Sequence, residues 1–345
     1  KVVCTPFYTV EFDEKAQFIS LYDKVNGREV LKAGEKGNVI TAYEDRPHKY
    51  DNWDVNIYYQ EKSWVVDSLA ESTVEEAGPV RLCLKVVRPF LSSTITQRIY
   101  FYSDQARIDV ANDIDWKEEN LLLKAAFPVD VHAEEASYEI QYGNVTRPCH
   151  SNTLWDAARF EVCAHKWADF SEDGYGVSLL NDCKFGYDIH DGVMRLTMLK
   201  AGTYPNPEAD KERHTFTYSL YPHAGGWRTA GTVAQAYALN LPLLALCGDK
   251  QEGTLPDALS LVQVDCPNVI VEAVKKAQDS QDTVVRLYEC YNRRTRMTVT
   301  LAKAPKAVFA CNLLEREATP VEVEGKTFTD TVLPYEIKSY LIQWD

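Results

Sequence analysis

The chain alternates apolar and polar residues in many short runs. In the segment 80–86, valine or leucine occupies every second position. The same spacing recurs in further sets: Ile95, Ile99 and Phe101; Ile108 and Val110; Tyr138, Ile140 and Tyr142; Met194, Leu196 and Met198; Met297, Val299 and Leu301; and Tyr335, Ile337 and Leu341. A period of two places one face of a β-strand in a core and the other toward water. The pattern predicts roughly twenty strands.

Turn-forming residues separate these runs, as at Asn26-Gly27, Gly143-Asn144 and Asp191-Gly192. Helical periodicity is nearly absent, and only a short stretch such as 208–213 is compatible with a helical turn. The sequence therefore predicts an all-β fold. About twenty strands exceed what one small sandwich can hold. We therefore expect a large two-sheet sandwich followed by a smaller antiparallel one.

The boundary between the two sandwiches is expected near 247–257. Glycine and proline residues break an apolar segment there, and strand-like alternation resumes after it. We therefore predict a large β-supersandwich domain over residues 1–250. A small C-terminal β-sandwich domain follows over residues 251–345, and its last strand is expected over 335–344.

Composition and charge exclude several classes of partner. The 345 residues carry a formal net charge of −14, so a surface for nucleic acid, which needs clustered lysine and arginine, is not expected. No run of 18 apolar residues exists, so no membrane partner is expected. The chain starts at Lys1 and enters a strand-like run at once. We interpret it as a piece of a longer polypeptide or as a processed chain.

Cysteine usage indicates a reducing compartment. The nine cysteines are odd in number and form no Cys-x-x-Cys pair, so neither a zinc ribbon nor a thioredoxin-like site is supported. Several lie in apolar strand-like runs, namely Cys83, Cys163, Cys290 and Cys311. We expect free, buried thiols and a cytoplasmic location. The sequence also lacks the motifs of Walker loops, Rossmann folds, α/β-hydrolases and HExxH metal sites.

Three segments are rich in polar and aromatic residues: 44–56, 147–172 and 175–187. The first and third contain our candidate substrate-binding residues, which are Asp45, Tyr50, Asp51, Trp53, Asp54, Asn181, Asp182 and Lys184. Aromatic faces and carboxylates together suit sugars, because they match C–H surfaces and paired hydroxyls. The same residues also suit ordinary solvated loops and turns. In the second segment, Trp155 and Trp167 could join Tyr50 and Trp53 in a sugar platform, or could belong to structural strand faces.

Taken together and in order, these segments resemble glycoside hydrolase family 38, the retaining α-mannosidases, in the C-terminal half of its cytosolic and bacterial branch. The resemblance covers roughly residues 5–245 strongly and the rest more loosely. The motifs that carry it are Asp45-Arg46-Pro47, Tyr50 to Asp54, Ala158 to Val162, His165 to Asp169, Tyr175 to Val177, Leu179 to Tyr187, Tyr204 to Pro207, His214 to Tyr218, and Pro222-His223. Asn52, Phe185 and Lys200 depart mildly from the family pattern, which leaves fine specificity open.

The resemblance implies that the large sandwich is of the galactose-mutarotase-like kind. It also implies that the nucleophilic aspartate and the zinc ligands belong to parts that precede this chain. No residue here matches those motifs, so we assign no catalytic residue and no metal ligand. The fragment is expected to be inactive and to bind no cofactor, with zinc or another divalent cation in the full-length enzyme.

The partners implied are an α-mannoside substrate and the enzyme's own N-terminal catalytic domain, and a homo-oligomer is also compatible. The fragment would supply scaffold and one wall of the sugar cleft. Two alternatives remain: a stand-alone carbohydrate-binding sandwich, and a mutarotase-like sandwich with its own acid/base pair.

Overall fold

The chain divides into two compact units. The computed structural model of the protein describes residues 1–249, 252–254 and 256–344. One unit comprises Lys1–Glu139 and Val145–Pro242, and the other comprises Ile140–Asn144 and Leu243–Asp345. The predicted domain boundary between residues 250 and 251 lies outside the described residues and stays a prediction.

Short strands build the part of the chain up to residue 242. Their bounds in chain order are β1 (Val2–Cys4), β2 (Tyr8–Phe12), β3 (Phe18–Asp23), β4 (Arg28–Glu29), β5 (Val39–Glu44), β6 (Ser63–Val65), β7 (Glu71–Ala77), β8 (Arg81–Phe90), β9 (Ser93–Tyr102), β10 (Ile108–Asp115), β11 (Leu121–Pro128), β12 (Glu135–Ile140), β13 (Gly143–Pro148), β14 (Val162–Cys163), β15 (Trp167–Glu172), β16 (Tyr175–Asn181), β17 (Gly186–His190), β18 (Val193–Ala201) and β19 (Arg213–Ala224). A 3-10 helix spans Ile57–Glu61, and α-helices span α1 (Leu154–Ala157), α2 (Trp227–Ala230) and α3 (Thr232–Asn240).

These strands form three antiparallel sheets. The largest has nine strands in the order β13-β12-β15-β16-β19-β10-β9-β8-β7. The second has six, in the order β14-β17-β18-β11-β5-β6, and the third is the meander β1-β2-β3-β4. Burial alternates strictly along β9, as the period-two pattern predicts. The expectation of an all-β protein is confirmed.

The core of the first unit lies between the nine-stranded and six-stranded sheets. Phe127 of β11 meets Tyr218 of β19 edge to face, with ring centroids 6.0 Å apart. Gln97, itself buried, donates to Tyr218 Oη at 2.8 Å and to Asn112 Oδ1 at 2.9 Å. Gln97, Asn112 and Tyr218 are therefore hydrogen-bonded to one another inside the core, which offsets the cost of burying them.

Helix α3 was not predicted from the sequence. It follows Gly231, whose φ of +73° suits glycine, and it packs on β16 with Thr232, Val233 and Ala236 buried. Small side chains on this face left no apolar periodicity to recognise. At 208–213, where the sequence is compatible with a helical turn, residues 207–210 form a turn that does not continue into a helix, and Arg213 begins β19.

The second unit is a smaller all-β body. Its strands are β20 (Val262–Val264), β21 (Val269–Lys276), β22 (Thr283–Glu289), β23 (Thr295–Leu301), β24 (Ala307–Cys311), β25 (Thr319–Val321), β26 (Thr327–Val332) and β27 (Ile337–Gln343). They form the antiparallel sheets β20-β23-β26 and β21-β22-β27-β24-β25. Val299 and Phe328 of the first sheet and Leu287 and Ile342 of the second share one apolar core. The prediction of a second, smaller antiparallel β-sandwich is confirmed.

Two further sequence predictions concern cysteines and membranes. All nine cysteines are free, as predicted. Cys83 and Cys290 are buried, but Cys163 is exposed because it lies in the two-residue edge strand β14. In the described part of the chain, no helix has the length and apolar character needed to cross a bilayer.

Candidate functional site

The first candidate segment, loop 45–54, leaves strand β5 through a buried aspartate. Asp45 is almost completely buried, and its Oδ2 lies 2.5 Å from Lys200 Nζ on β18. Its Oδ1 has no hydrogen-bond partner among the described residues. Burial raises the pKa of Asp45, and the ammonium of Lys200 only partly offsets that rise. Asp45 therefore positions Lys200 and is too enclosed to touch a ligand.

Asp51 ties the middle of the loop to the segment 200–204. Its carboxylate accepts hydrogen bonds from the backbone N–H groups of Thr203, at 2.8 Å, and Tyr204, at 2.6 Å. The Lys200 ammonium donates to the Asp51 backbone carbonyl. Burial raises the pKa of the Asp51 carboxyl, but these hydrogen bonds outweigh it and hold the pKa below its usual range. The two aspartates thus clamp loop 45–54 onto segment 200–204.

Gly202 allows the close approach of these two segments. A Cβ at this position would lie 2.4 Å from Asn52 Oδ1 and 2.8 Å from the Asp51 carbonyl oxygen. We expect Gly202→Ala to lower the free energy of unfolding by about 1–3 kcal/mol, because the loop backbone must move away. Urea unfolding followed by tryptophan fluorescence measures this.

The matched control is Gly226→Ala. Its φ is −89°, and a Cβ there would meet nothing within 4 Å in the described structure. This variant is expected to change the free energy of unfolding by less than about 0.5 kcal/mol. Equal stability of the two alanine variants would show that the fold does not need the close approach of loop 45–54 to Gly202.

Three aromatic rings lie together at the loop tip, and we call them the aromatic platform: Tyr50, Trp53 and Tyr204. Tyr50 and Trp53 are stacked, with centroids 5.0 Å apart and an interplanar angle of 15°. Tyr204 lies 5.4 Å from Tyr50. Trp53 is 71% exposed and Asp54 is also exposed. A flat indole beside a carboxylate can stack on a sugar ring and accept hydrogen bonds from its hydroxyls.

The third candidate segment contains turn 181–184, which follows β16. Asn181 is buried; its Oδ1 accepts from the Cys183 N–H at 2.9 Å, and its amide donates to the His165 carbonyl oxygen at 2.9 Å. Asp182 is exposed and accepts from the Thr217 N–H at 3.0 Å. Lys184 Nζ lies 4.3 Å above the Phe216 ring, and burial lowers its pKa. Asn181 builds the turn, whereas Asp182 and Lys184 reach its surface.

The candidate residues form two groups. Within the described residues, no hydrogen bond, ion pair or ring contact joins loop 45–54 to turn 181–184. The loop is bonded to segment 200–204, whereas the turn contacts Phe216 and Thr217. Sequence reasoning missed Lys200, Thr203 and Tyr204 as site residues. The motif Tyr204 to Pro207 is a sequence signal for this segment, because it belongs to the family resemblance. Nothing in the sequence indicates that the segment binds Asp51.

The hypothesis of a platform containing Trp155 and Trp167 is wrong for Trp167. Trp167 is only 1% exposed and packs against Trp227, with centroids 4.9 Å apart. Trp155 is 81% exposed on helix α1. Residues of β15 face either the core or the helices that cover the sheet. The alternating pattern alone therefore could not show whether Trp167 is exposed to solvent.

A buried Asp-His-Ser cluster beneath α3 does not have the geometry of a hydrolase triad. Asp169 Oδ2 and Ser178 Oγ both approach the same nitrogen of His223, Nε2, at 2.9 and 3.1 Å. A triad needs the carboxylate and the hydroxyl on opposite ring nitrogens. Ser178 is fully buried and also bonded to Thr232 at 2.8 Å. The cluster is therefore structural.

The described residues do not offer a ligand set for zinc. No group of three or more histidine, cysteine, aspartate or glutamate side chains lies close enough together in this part of the molecule to hold a metal ion. The Asp45 carboxylate pairs with Lys200, and the Asp51 carboxylate accepts hydrogen bonds from the backbone of segment 203–204.

Comparison with known proteins finds a family model that matches each of the two units. Residues 3–208 match the glycosyl hydrolases family 38 C-terminal domain, and residues 268–340 match the family 38 C-terminal beta sandwich domain. Alpha-mannosidase 2C1 of Homo sapiens is 34% identical over 96% of this chain, and Alpha-mannosidase G of Dictyostelium discoideum is 34% identical over 97%. The chain spans 32% of the length of each relative.

A solved structure shares the fold of the chain. An alpha-mannosidase from Enterococcus faecalis V583 superposes with a TM-score of 0.80 at 17% identity. The match covers 99% of this chain and 42% of that one. At this identity the likeness concerns the fold alone.

Proposed function

Because this chain belongs to glycosyl hydrolase family 38, of which the C-terminal domain matches residues 3–208, we propose that it is the C-terminal β region of an α-mannosidase. The whole enzyme would hydrolyse terminal α-D-mannosides with retention of configuration. In it, loop 45–54 forms one wall of the sugar cleft and turn 181–184 borders it. The remaining surface serves as scaffold for the catalytic part.

The aromatic platform is the observation that supports a sugar-binding role for loop 45–54. Trp53 presents an exposed indole face, while the stacked Tyr50 and the bonded Asp51 hold the loop beneath it. A fixed aromatic face loses little entropy when a sugar ring stacks on it. Asp54 at the same tip is exposed and supplies acceptors for hydroxyl groups.

The catalytic carboxylates are proposed to come from another part of the polypeptide. Retaining glycosidases use two carboxyl groups about 5–5.5 Å apart, one as nucleophile and one as acid/base. Asp45 and Asp51 are enclosed and bonded within this chain, so neither is free to attack a sugar. We place the zinc ligands in that other part as well, where the cation would orient sugar hydroxyls. The nine free cysteines support a cytoplasmic enzyme.

The first test is hydrolysis of p-nitrophenyl α-D-mannopyranoside. We expect no turnover by the 345-residue chain with or without added zinc, and turnover by the product of the complete reading frame. In that complete protein, Trp53→Ala is expected to lower kcat/KM about tenfold, which corresponds to about 1.4 kcal/mol of lost stacking.

Trp155→Ala is the matched control, since it removes another exposed indole from helix α1, and it should leave kcat/KM unchanged. Turnover by the chain alone would favour a mutarotase-like or other self-contained active site. Equal activity of the Trp53 variant and the wild-type protein would exclude loop 45–54 from the cleft.

A further inference from the structure

A cavity of about 510 Å³ opens on the face of the six-stranded sheet that points away from the core. Strand alternation creates this face: Ile189, Met194 and Leu196 enter the core, whereas Asp188 and Arg195 point the other way. We call the cavity the sheet-face pocket. Its walls come from β5, β17, β18, the 3-10 helix and the segment 151–160.

Two residues of the pocket lining, Asp188 and Arg195, belong to a network of four charged groups. Lys124 of β11 is fully buried and pairs with Glu161, and its Nζ lies 3.1 Å from Asp188 Oδ2. Arg195 Nη1 lies 3.0 Å from Asp188 Oδ1. These two cations and two carboxylates sum to zero charge, and each carboxylate is held by at least one cation. The network is therefore rigid and neutral overall.

Aromatic rings form the walls of the pocket. The Tyr59 ring meets Tyr43 edge to face at 5.2 Å, and the Phe160 ring lies 6.3 Å from Tyr59. All three line the cavity. A pocket of several hundred Å³ with apolar rings and a few fixed polar groups is typical of a small-molecule site.

Two polar residues, His190 and Arg195, line the wall, and Arg195 has unused hydrogen-bonding capacity. His190 Nε2 faces the Arg159 carbonyl oxygen at 3.2 Å, whereas His190 Nδ1 is buried and has no partner among the described residues. His190 Nδ1 is enclosed by the protein, so it is not assigned to a ligand in the pocket. Arg195 carries five N–H donors, and its pair with Asp188 uses one of the two at Nη1.

We propose that the sheet-face pocket is a second carbohydrate site, which takes one ring of a neutral hexopyranoside. Aromatic walls match the C–H faces of a pyranose, and the Asp188–Arg195 pair matches its hydroxyls. An anionic ligand is disfavoured, because the buried charges cancel and Asp191 adds a negative charge to the lining. None of Tyr50, Trp53 and Tyr204 lines this pocket, so the proposal is independent of the aromatic platform.

Titration of the 345-residue chain with methyl α-D-mannopyranoside, followed by NMR or calorimetry, tests the proposal. We expect saturable binding with a Kd in the millimolar range. Arg195→Gln should weaken it at least about tenfold, because the guanidinium donors are lost. Phe160→Ala removes a wall and should weaken binding similarly. Thermal melting with circular dichroism identifies any variant that fails to fold.

Arg213→Gln is the matched control, since Arg213 lies on β19 and pairs with Asp113 in the other large sheet. This variant should bind like the wild-type chain. No saturable binding by the wild-type chain, or unchanged binding by the folded Arg195 and Phe160 variants, would overturn the proposal. Binding lost only in Trp53→Ala would place the sugar on the aromatic platform and would also overturn it.

Discussion

Lys124→Met is expected to lower the free energy of unfolding by about 3–5 kcal/mol. Lys124 is fully buried, pairs with Glu161 and lies 3.1 Å from Asp188 Oδ2. Burial alone would lower the pKa of Lys124, but the two carboxylates raise it above its ordinary value, so the side chain stays charged. Methionine fills most of the space but leaves Glu161 buried without a cation.

Chemical denaturation measures this loss, and Lys85→Met is the matched control. Lys85 pairs with Glu71 on the partly exposed face of β8, at 3.0 Å. Exposed pairs contribute about 0–1 kcal/mol, so this variant should remain near wild-type stability. The double variant Lys124→Met/Glu161→Gln should recover part of the loss, because it removes the stranded charge. A Lys124 variant as stable as the Lys85 variant would mean that water enters the network.

His223→Ala is expected to cost about 3 kcal/mol of unfolding free energy. Asp169 is nearly fully buried, and Nε2 of His223 lies 2.9 Å from its Oδ2. Without the ring, the carboxylate keeps the Ser171 and Ser178 hydroxyls as donors. Nδ1 of the ring also faces the Gly225 carbonyl oxygen at 3.0 Å, so the ring links β19 to the turn before α2.

His223→Gln separates this bond from simple loss of volume. Its side-chain amide can reach the position of Nε2 and donate to Asp169, so it should recover more than half of the stability lost in the alanine variant. Thermal and urea unfolding of both variants provide the comparison. If glutamine and alanine are equally destabilising, packing of the ring and not its hydrogen bond stabilises this region.

Local patterns in the sequence were sufficient for the fold class. In a strand with one buried face, apolar residues occupy every second position. Strands β8, β9, β18 and β23 could therefore be recognised without knowledge of the strands beside them. The free cysteines and the family resemblance were also readable from the chain. The helix α3 was not, because its buried face consists of small residues that tertiary packing, and not amphipathicity, selects.

The roles of the candidate residues depended on contacts between residues far apart in the chain. Asp51 and Trp53 are two positions apart in a polar loop, yet segment 203–204 buries the first and leaves the second exposed. Lys124 joins the charged network that includes two pocket-lining residues only because β11 and β18 are neighbours and β17 adds Asp188. The sequence by itself determined which residue types alternate and where turns form, since those depend on neighbouring positions. Only the tertiary structure decided which polar residues are clamped, which are exposed and which share a cavity, because burial and electrostatic pairing depend on distant segments.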